Sequence, residues 1–212
     1  MRLVVLISRQ DVKHIVFSRF DRMKSFAIFV IAVILEVSCS KRTMKDIVRT
    51  LKFGNCDESF SEKTEKSHFE NITITNVGKG FNVFNGQFVH KREVEGIYAL
   101  YTTYRCESPT QDNCELAFND KHDDYCDILV RPGEYWSPLW GAFHPKAKCP
   151  LLKNTYHITN GTIGAEKLLA FGKGIPNFRN SYWVTKTHMY TNDTKENFAC
   201  MSMTLQIAQI RV

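Results

Sequence analysis

Cysteine, histidine and acidic side chains are the ones able to do chemistry here, and their spacing narrows what they can do. Seven cysteines occur; Cys39 sits at the end of an N-terminal apolar run, and Cys56, Cys106, Cys114, Cys126, Cys149 and Cys200 are spread over the rest. No two form a C-x-x-C pair, and the separations of 8, 12 and 23 along Cys106, Cys114, Cys126 and Cys149 do not resemble zinc-finger ligands. Six cysteines in a secreted chain read instead as a disulfide framework, with 15 pairings open. His122-Asp123-Asp124 puts carboxylates beside an imidazole but supplies no nucleophile, and His144, His157 and His188 stand isolated. Neither G-x-S-x-G nor H-E-x-x-H is present. The expectation is a protein without catalytic residues, metal or cofactor.

The second chemistry on offer is apolar contact. Between Cys126 and Cys149 the chain reads CDILVRPGEYWSPLWGAFHPKAKC, with Tyr135, Trp136, Leu139, Trp140 and Phe143 among prolines and glycines. A stretch this aromatic, bounded by cysteines, either folds inward as core or stands at the mouth of an apolar cavity and touches lipid. The second reading is preferred. Indole rings suit a bilayer interface, where one edge is apolar and the other wet. Lys146, Lys148 and Lys153 follow closely and suit anionic headgroups or a solvated face.

The elements that must hold these residues are strands. Asp46–Phe53 reads as a first strand, and 59–68 as a polar surface loop. Asn71–Val77 alternates, with Ile72 and Ile74 facing one way and threonines the other, the mark of a half-buried strand. Gly78-Lys79-Gly80 reads as a turn, and Asn85-Gly86 as a hairpin turn between two short strands. Val94–Tyr104 places Ile97, Ala99 and Tyr101 on one face and Tyr98, Leu100 and Tyr104 on the other. Residues 116–125 read as acidic and irregular, Ile128–Val130 as a short strand, Thr155–Thr159 as a strand, and Glu166–Phe171 as helical turn or strand. Asn180–Thr191 opposes Trp183, Thr185, Thr187 and Met189 to Tyr182 and Val184; the last strand opposes Met201, Met203, Leu205 and Ile207 to Cys200, Ser202, Thr204 and Gln206. Recurrent strands with polar turns and no long amphipathic helix predict an all-β sandwich. Candidate cavity walls are Ile97, Tyr98, Leu100, Trp183, Met189, Met201, Met203 and Leu205, each equally suited to ordinary core.

The N-terminus bears on where the chain works. Phe26–Val37 is apolar, follows Arg19, Arg22 and Lys24, and precedes Ser38-Cys39-Ser40, the pattern of a secretory signal peptide. The run falls short of the ~20 residues of a membrane span. Met23 would be a more ordinary start than Met1. Residues 1–40 are therefore read as extension and signal, and 41–212 as one domain of about 170 residues, enough for a sizeable core. Six Lys and Arg and three acids precede residue 41, so the rest carries 22 against 19, a net charge near +3. With no basic stripe among aromatics, nucleic acid is not an expected partner. Three sequons, at Asn71, Asn160 and Asn192, agree with secretion and glycosylation.

The ordered set Asn55-Cys56-Asp57-Glu58, Cys106 with Cys114, Cys126-Asp127-Ile128-Leu129, Cys149-Pro150 before Thr155-Tyr156, Ile175-Pro176 before a strand, and Cys200 in the last strand resembles the ML lipid-recognition family, most closely its ganglioside-activator branch. The resemblance implies an immunoglobulin-like β-sandwich opened at one end into an apolar lipid cavity. It also implies the pairs Cys56–Cys200, Cys106–Cys114 and Cys126–Cys149. That branch has a further disulfide where this chain has the aromatics Tyr135 to Phe143.

Two functions follow as expectations. The first is a secreted protein that holds acyl chains of a lipid or glycolipid for transfer or presentation. It would touch membranes transiently and serve a lipid-processing enzyme without being one; a lysosomal destination is the alternative to the extracellular space. The second is a secreted immune or chemosensory recognition protein acting through a protein partner, which a pull-down from the source tissue would detect.

Overall fold

Two antiparallel sheets pack face to face in this computed structural model, which describes residues 44–56, 67–78 and 81–211. The expected signal peptide, Cys39, residues 79–80 of the expected turn and most of the polar 59–68 loop lie outside the described residues. From Met44 onward the chain forms one unit. Strands β1 (Met44–Asn55), β2 (His68–Gly78), β3 (Phe81–His90), β4 (Ile97–Cys106) and β5 (Glu115–His122) come first. Short helices α1 (Tyr125–Val130) and α2 (Ser137–Gly141) follow, then β6 (Phe143–His144), β7 (Asn154–Gly161), α3 (Ala165–Phe171), β8 (Ser181–Thr191) and β9 (Asn197–Arg211). One sheet runs β1-β9-β8-β4-β5 and the other β2-β3-β7-β6.

Period two explains most of this. β8 and β9 turn Trp183, Met189, Met201, Met203, Leu205 and Ile207 inward, as their alternation predicts. In β1 a register shift between Thr50 and Lys52 lets Val48 and Phe53 both face the core despite their odd spacing. Asn55 joins the sheets: its amide accepts from Phe69 N–H at 2.8 Å and donates to Phe69 O at 3.0 Å. Phe53, Phe69, Phe84, Phe88 and Phe143 then fill one part of the interior; Phe53 stacks on Phe84 at 4.5 Å, and Phe88 meets Phe143 at 6.3 Å.

Three sequence expectations need correction. Asn85-Gly86 makes no hairpin turn; both residues lie within β3, where the pairing with β2 and β7 shifts register. Glycine is needed there because a Cβ would meet Ile72 Cδ1 and lie 3.0 Å from Glu70 O. The acidic run at 115–122 is a strand. Nearly all of β5 is exposed, as a charged edge strand can be, while its backbone pairs with β4. An Arg105–Glu115 ion pair and Cys106–Cys114 close that hairpin. Finally, Ile128–Val130 belongs to helix α1, capped by Asp124, whose side chain accepts from Asp127 N–H at 3.3 Å.

All six described cysteines are paired, as Cys56–Cys200, Cys106–Cys114 and Cys126–Cys149, with Cα separations of 5.5, 4.1 and 5.6 Å. Such bonds persist in an oxidising compartment.

Candidate functional site

The second sheet is the narrower one, and its last strand, β6, has only two residues. Short helices sit over part of the interior instead, α1 against β4, α2 against β7 and α3 against β1, while β5 stays exposed. Their sequences explain why they form. Tyr125, Ile128 and Leu129 recur at helical spacing and are the buried residues of α1. Pro138 opens α2, where its missing N–H costs nothing. Ser137 ties the linker down, donating to Arg131 O at 2.8 Å and accepting from Glu134 N–H at 2.9 Å. Tyr135 O accepts from Gly164 N–H at 2.8 Å, which fixes the linker to the start of α3. Cys126–Cys149 anchors the base of the α1–α2–β6 segment.

Beneath this cover lies a cavity of about 410 Å³. Its floor is the larger sheet, and strand register gives the floor a gradient. Asp120, Tyr101, Thr187 and Met201 form one cross-strand row; Phe118, Thr103, Thr185 and Met203 form the next. The floor therefore runs from a carboxylate at the β5 edge through hydroxyls to methionine on β9. Trp183, Leu205 and Ile207 extend the apolar side. Thr103 and Thr185 hydroxyls hydrogen-bond to one another at 3.1 Å. The roof brings down Tyr125 and Ile128 from α1, Leu139 and Trp140 from α2, and Leu168 from α3. Trp140 stands edge-on to Tyr125 at 6.0 Å.

Of the residues proposed from sequence, Tyr135, Trp136, Leu139, Trp140, Trp183, Met201, Met203 and Leu205 border the cavity. Ile97, Tyr98, Leu100, Phe143 and Met189 do not. Ile97 and Phe143 are buried in the sandwich core, and Leu100 is exposed, its side chain on the sheet's outer side with Tyr98. The aromatic stretch does not protrude as expected. Leu139 and Trp140 are 1% and 6% exposed and close the cavity from within; Tyr135 and Trp136 are half-buried. The reason is covalent and local: a disulfide at the base and two helical turns fold the ring-bearing residues back onto β4 and β7. The exposed aromatic side chains at the mouth are Phe118 and Phe171. Lys167 and Glu134 also border it, whereas Lys146, Lys148 and Lys153 do not.

Sequence reasoning missed Tyr125 and the threonines as wall residues. Thr185 and Thr187 already shared a face with Trp183 in the alternation, and Tyr101 shared one with Ile97. Tyr125 lay in a segment read as irregular. Burial raises the hydroxyl pKa of Tyr125 well above its ordinary value; the same desolvation raises Tyr101 and Tyr135, with Asp120 and Glu134 adding to it respectively. All three phenols stay neutral hydrogen-bonding groups.

Other clusters offer less. His188 lies beside Cys56 and Cys200, but both sulfurs are bonded to each other and supply no thiolate. Ser67 Oγ is 2.8 Å from His90 Nδ1, a pair shaped for proton transfer, yet both residues are 1% exposed and neither borders this cavity. The sequon residues Asn71, Asn160 and Asn192 are all exposed. No known family pattern and no curated protein matches this chain.

Proposed function

We propose that this is a secreted lipid-binding protein of the ML type, which holds an acyl chain of a lipid or glycolipid between its sheet and its helical cover, for transfer or presentation. One observation carries the reading: a cavity of about 410 Å³ within the usual range for ligand sites, walled by methionine, leucine, isoleucine and tryptophan with a few converging hydroxyls. A disulfide-bonded sandwich and three disulfides paired as the ML resemblance implies support it. The immunoglobulin-like description and the family belong to this proposal. So does a transient contact with membranes, which the exposed Phe118 and Phe171 beside the mouth would make.

The test is the mass of the protein secreted by an animal cell line, under native and then denaturing conditions. A non-covalent adduct of lipid mass, lost on denaturation, is expected. A bare protein that also takes up no lipid from vesicles would sink the carrier reading and favour recognition of a protein partner. Phe171 is 55% exposed, so Phe171→Ser should leave the melting temperature unchanged and weaken sedimentation with lipid vesicles. Unchanged sedimentation would remove that rim from membrane contact.

A further inference from the structure

The cavity carries polar groups whose hydrogen bonds are unmade. Thr187 is 1% exposed and borders the cavity, and its Oγ1 is fully buried with no hydrogen-bond partner. Trp136 Nε1 is likewise buried without a partner, and Trp136 also borders the cavity. Buried polar groups are normally satisfied, and leaving one unpaired is costly. A tyrosine stands beside each of them. Thr187 pairs with Tyr101 across β8 and β4. Tyr101 and Tyr125 rings are 6.0 Å apart, and Tyr135 stands edge-on to Trp136 at 4.6 Å. Two hydrogen bonds are thus unmade at the cavity's wall, at Thr187 and Trp136, while Tyr101 and Tyr125 hydrogen-bond to each other; the β9 side is apolar.

Three properties of the missing partner follow. An indole N–H only donates, so the ligand must bring an acceptor oxygen. The charged groups bordering the cavity are Asp120, Glu134 and Lys167, together with His122. Asp120 and Lys167 are both exposed and Glu134 is half-buried, so no buried cation stands ready to pair with a ligand carboxylate. The head is therefore neutral. At about 410 Å³ the cavity lies toward the small end of the range for ligand sites, a size that suits one medium-length chain.

Resting on the lipid-binding reading, we propose that the cavity selects a single-chain, uncharged lipid bearing a hydroxyl, carbonyl or ester oxygen. The oxygen is bound inward between Thr187 and Trp136, and the chain lies along Met201, Met203 and Leu205. A larger headgroup, if present, stays outside the mouth.

Displacement of the fluorescent apolar probe N-phenylnaphthylamine tests this with dodecanol, dodecane and dodecanoate on the secreted protein. Dodecanol should bind most tightly. Thr187→Val, which keeps shape and removes only the hydroxyl, should weaken dodecanol about fivefold and leave dodecane unchanged. Trp136→Phe should weaken dodecanol in the same direction, with probe binding retained as proof of folding. If dodecane binds as well as dodecanol and Thr187→Val alters neither, the polar subsite is refuted while lipid binding stands. If dodecanoate binds best, the neutral head is refuted. If neither the probe nor any of the three binds, the lipid-binding reading falls, and this inference with it.

Discussion

His90 makes the fold sensitive to acid, and the size of the effect can be worked from its surroundings. The ring lies in β3 at 1% exposure, stacked on Phe88 at 5.8 Å and edge-on to Phe198 at 5.5 Å. Burial lowers its pKa from 6.5 to about 4; a backbone hydrogen bond with Leu151 opposes this and the charge of Arg92 adds to it. The folded state therefore keeps the ring neutral at a pH where the unfolded chain protonates it. Above about pH 6.5 neither state is protonated and nothing is lost. Between 6.5 and about 4 the unfolded chain binds more protons, so stability falls as pH falls. At ~1.4 kcal/mol per pH unit, the whole gap is worth about 3 kcal/mol, and about 2 kcal/mol is gone by about pH 5. His90→Gln removes the titration and keeps a polar partner for Ser67. Urea unfolding followed by tryptophan fluorescence at about pH 7.5 and about pH 5 gives the comparison. The wild type should lose about 2 kcal/mol more than His90→Gln between the two. Equal losses would refute the buried-neutral account of His90. A loss of that size would also bear on destination, because an acidic compartment would take a large share of the net stability of a domain this size.

Other perturbations read other parts of the argument. Gly86→Ala should lower stability by about 1–3 kcal/mol in thermal unfolding, because the new methyl group meets the β2 backbone at Glu70 and Ile72. Replacing both Cys126 and Cys149 by serine opens a loop with a sequence separation of 23, and should cost about 3 kcal/mol in chemical unfolding. Ligand-free Thr187→Val should be at least as stable as the wild type, by up to about 1–3 kcal/mol, since it deletes an unpaired buried hydroxyl; a lower melting temperature would mean that Oγ1 has a partner.

The strands were legible because burial on one face writes a period of two into the sequence. β8 and β9 show it residue by residue, and their inward sets became the cavity floor. The cover was harder to read. Tyr125, Ile128 and Leu129 do carry a helical spacing, but over six residues it competes with the Ile-Leu-Val run, which has the composition of a strand. The Asn85-Gly86 pair misled for a related reason. A turn dipeptide reports that the backbone needs freedom, and a close approach between strands uses the same freedom as a turn. In β5 the polar composition hid the strand, because an edge ladder needs only one backbone partner and leaves its side chains to solvent.

The cavity itself has no local signature, because it arises from a mismatch between two sheets. The larger sheet offers an inner face across β8, β4 and β5; β6, with two residues, is too short to continue the second sheet over it. Three short helices sit over part of the interior instead, and helices of five to seven residues cannot interdigitate with a sheet as another sheet would. The space left is walled by whatever side chains the strand alternation had already turned inward. That alternation put threonine at 103, 185 and 187, in the middle of the floor. In a filled sandwich those hydroxyls would need partners from the facing sheet. Two of the three satisfy each other, and Thr187 is left facing the cavity. Its unmade hydrogen bond is therefore a consequence of the truncated second sheet, and a ligand oxygen at that position would complete what the missing strand leaves open.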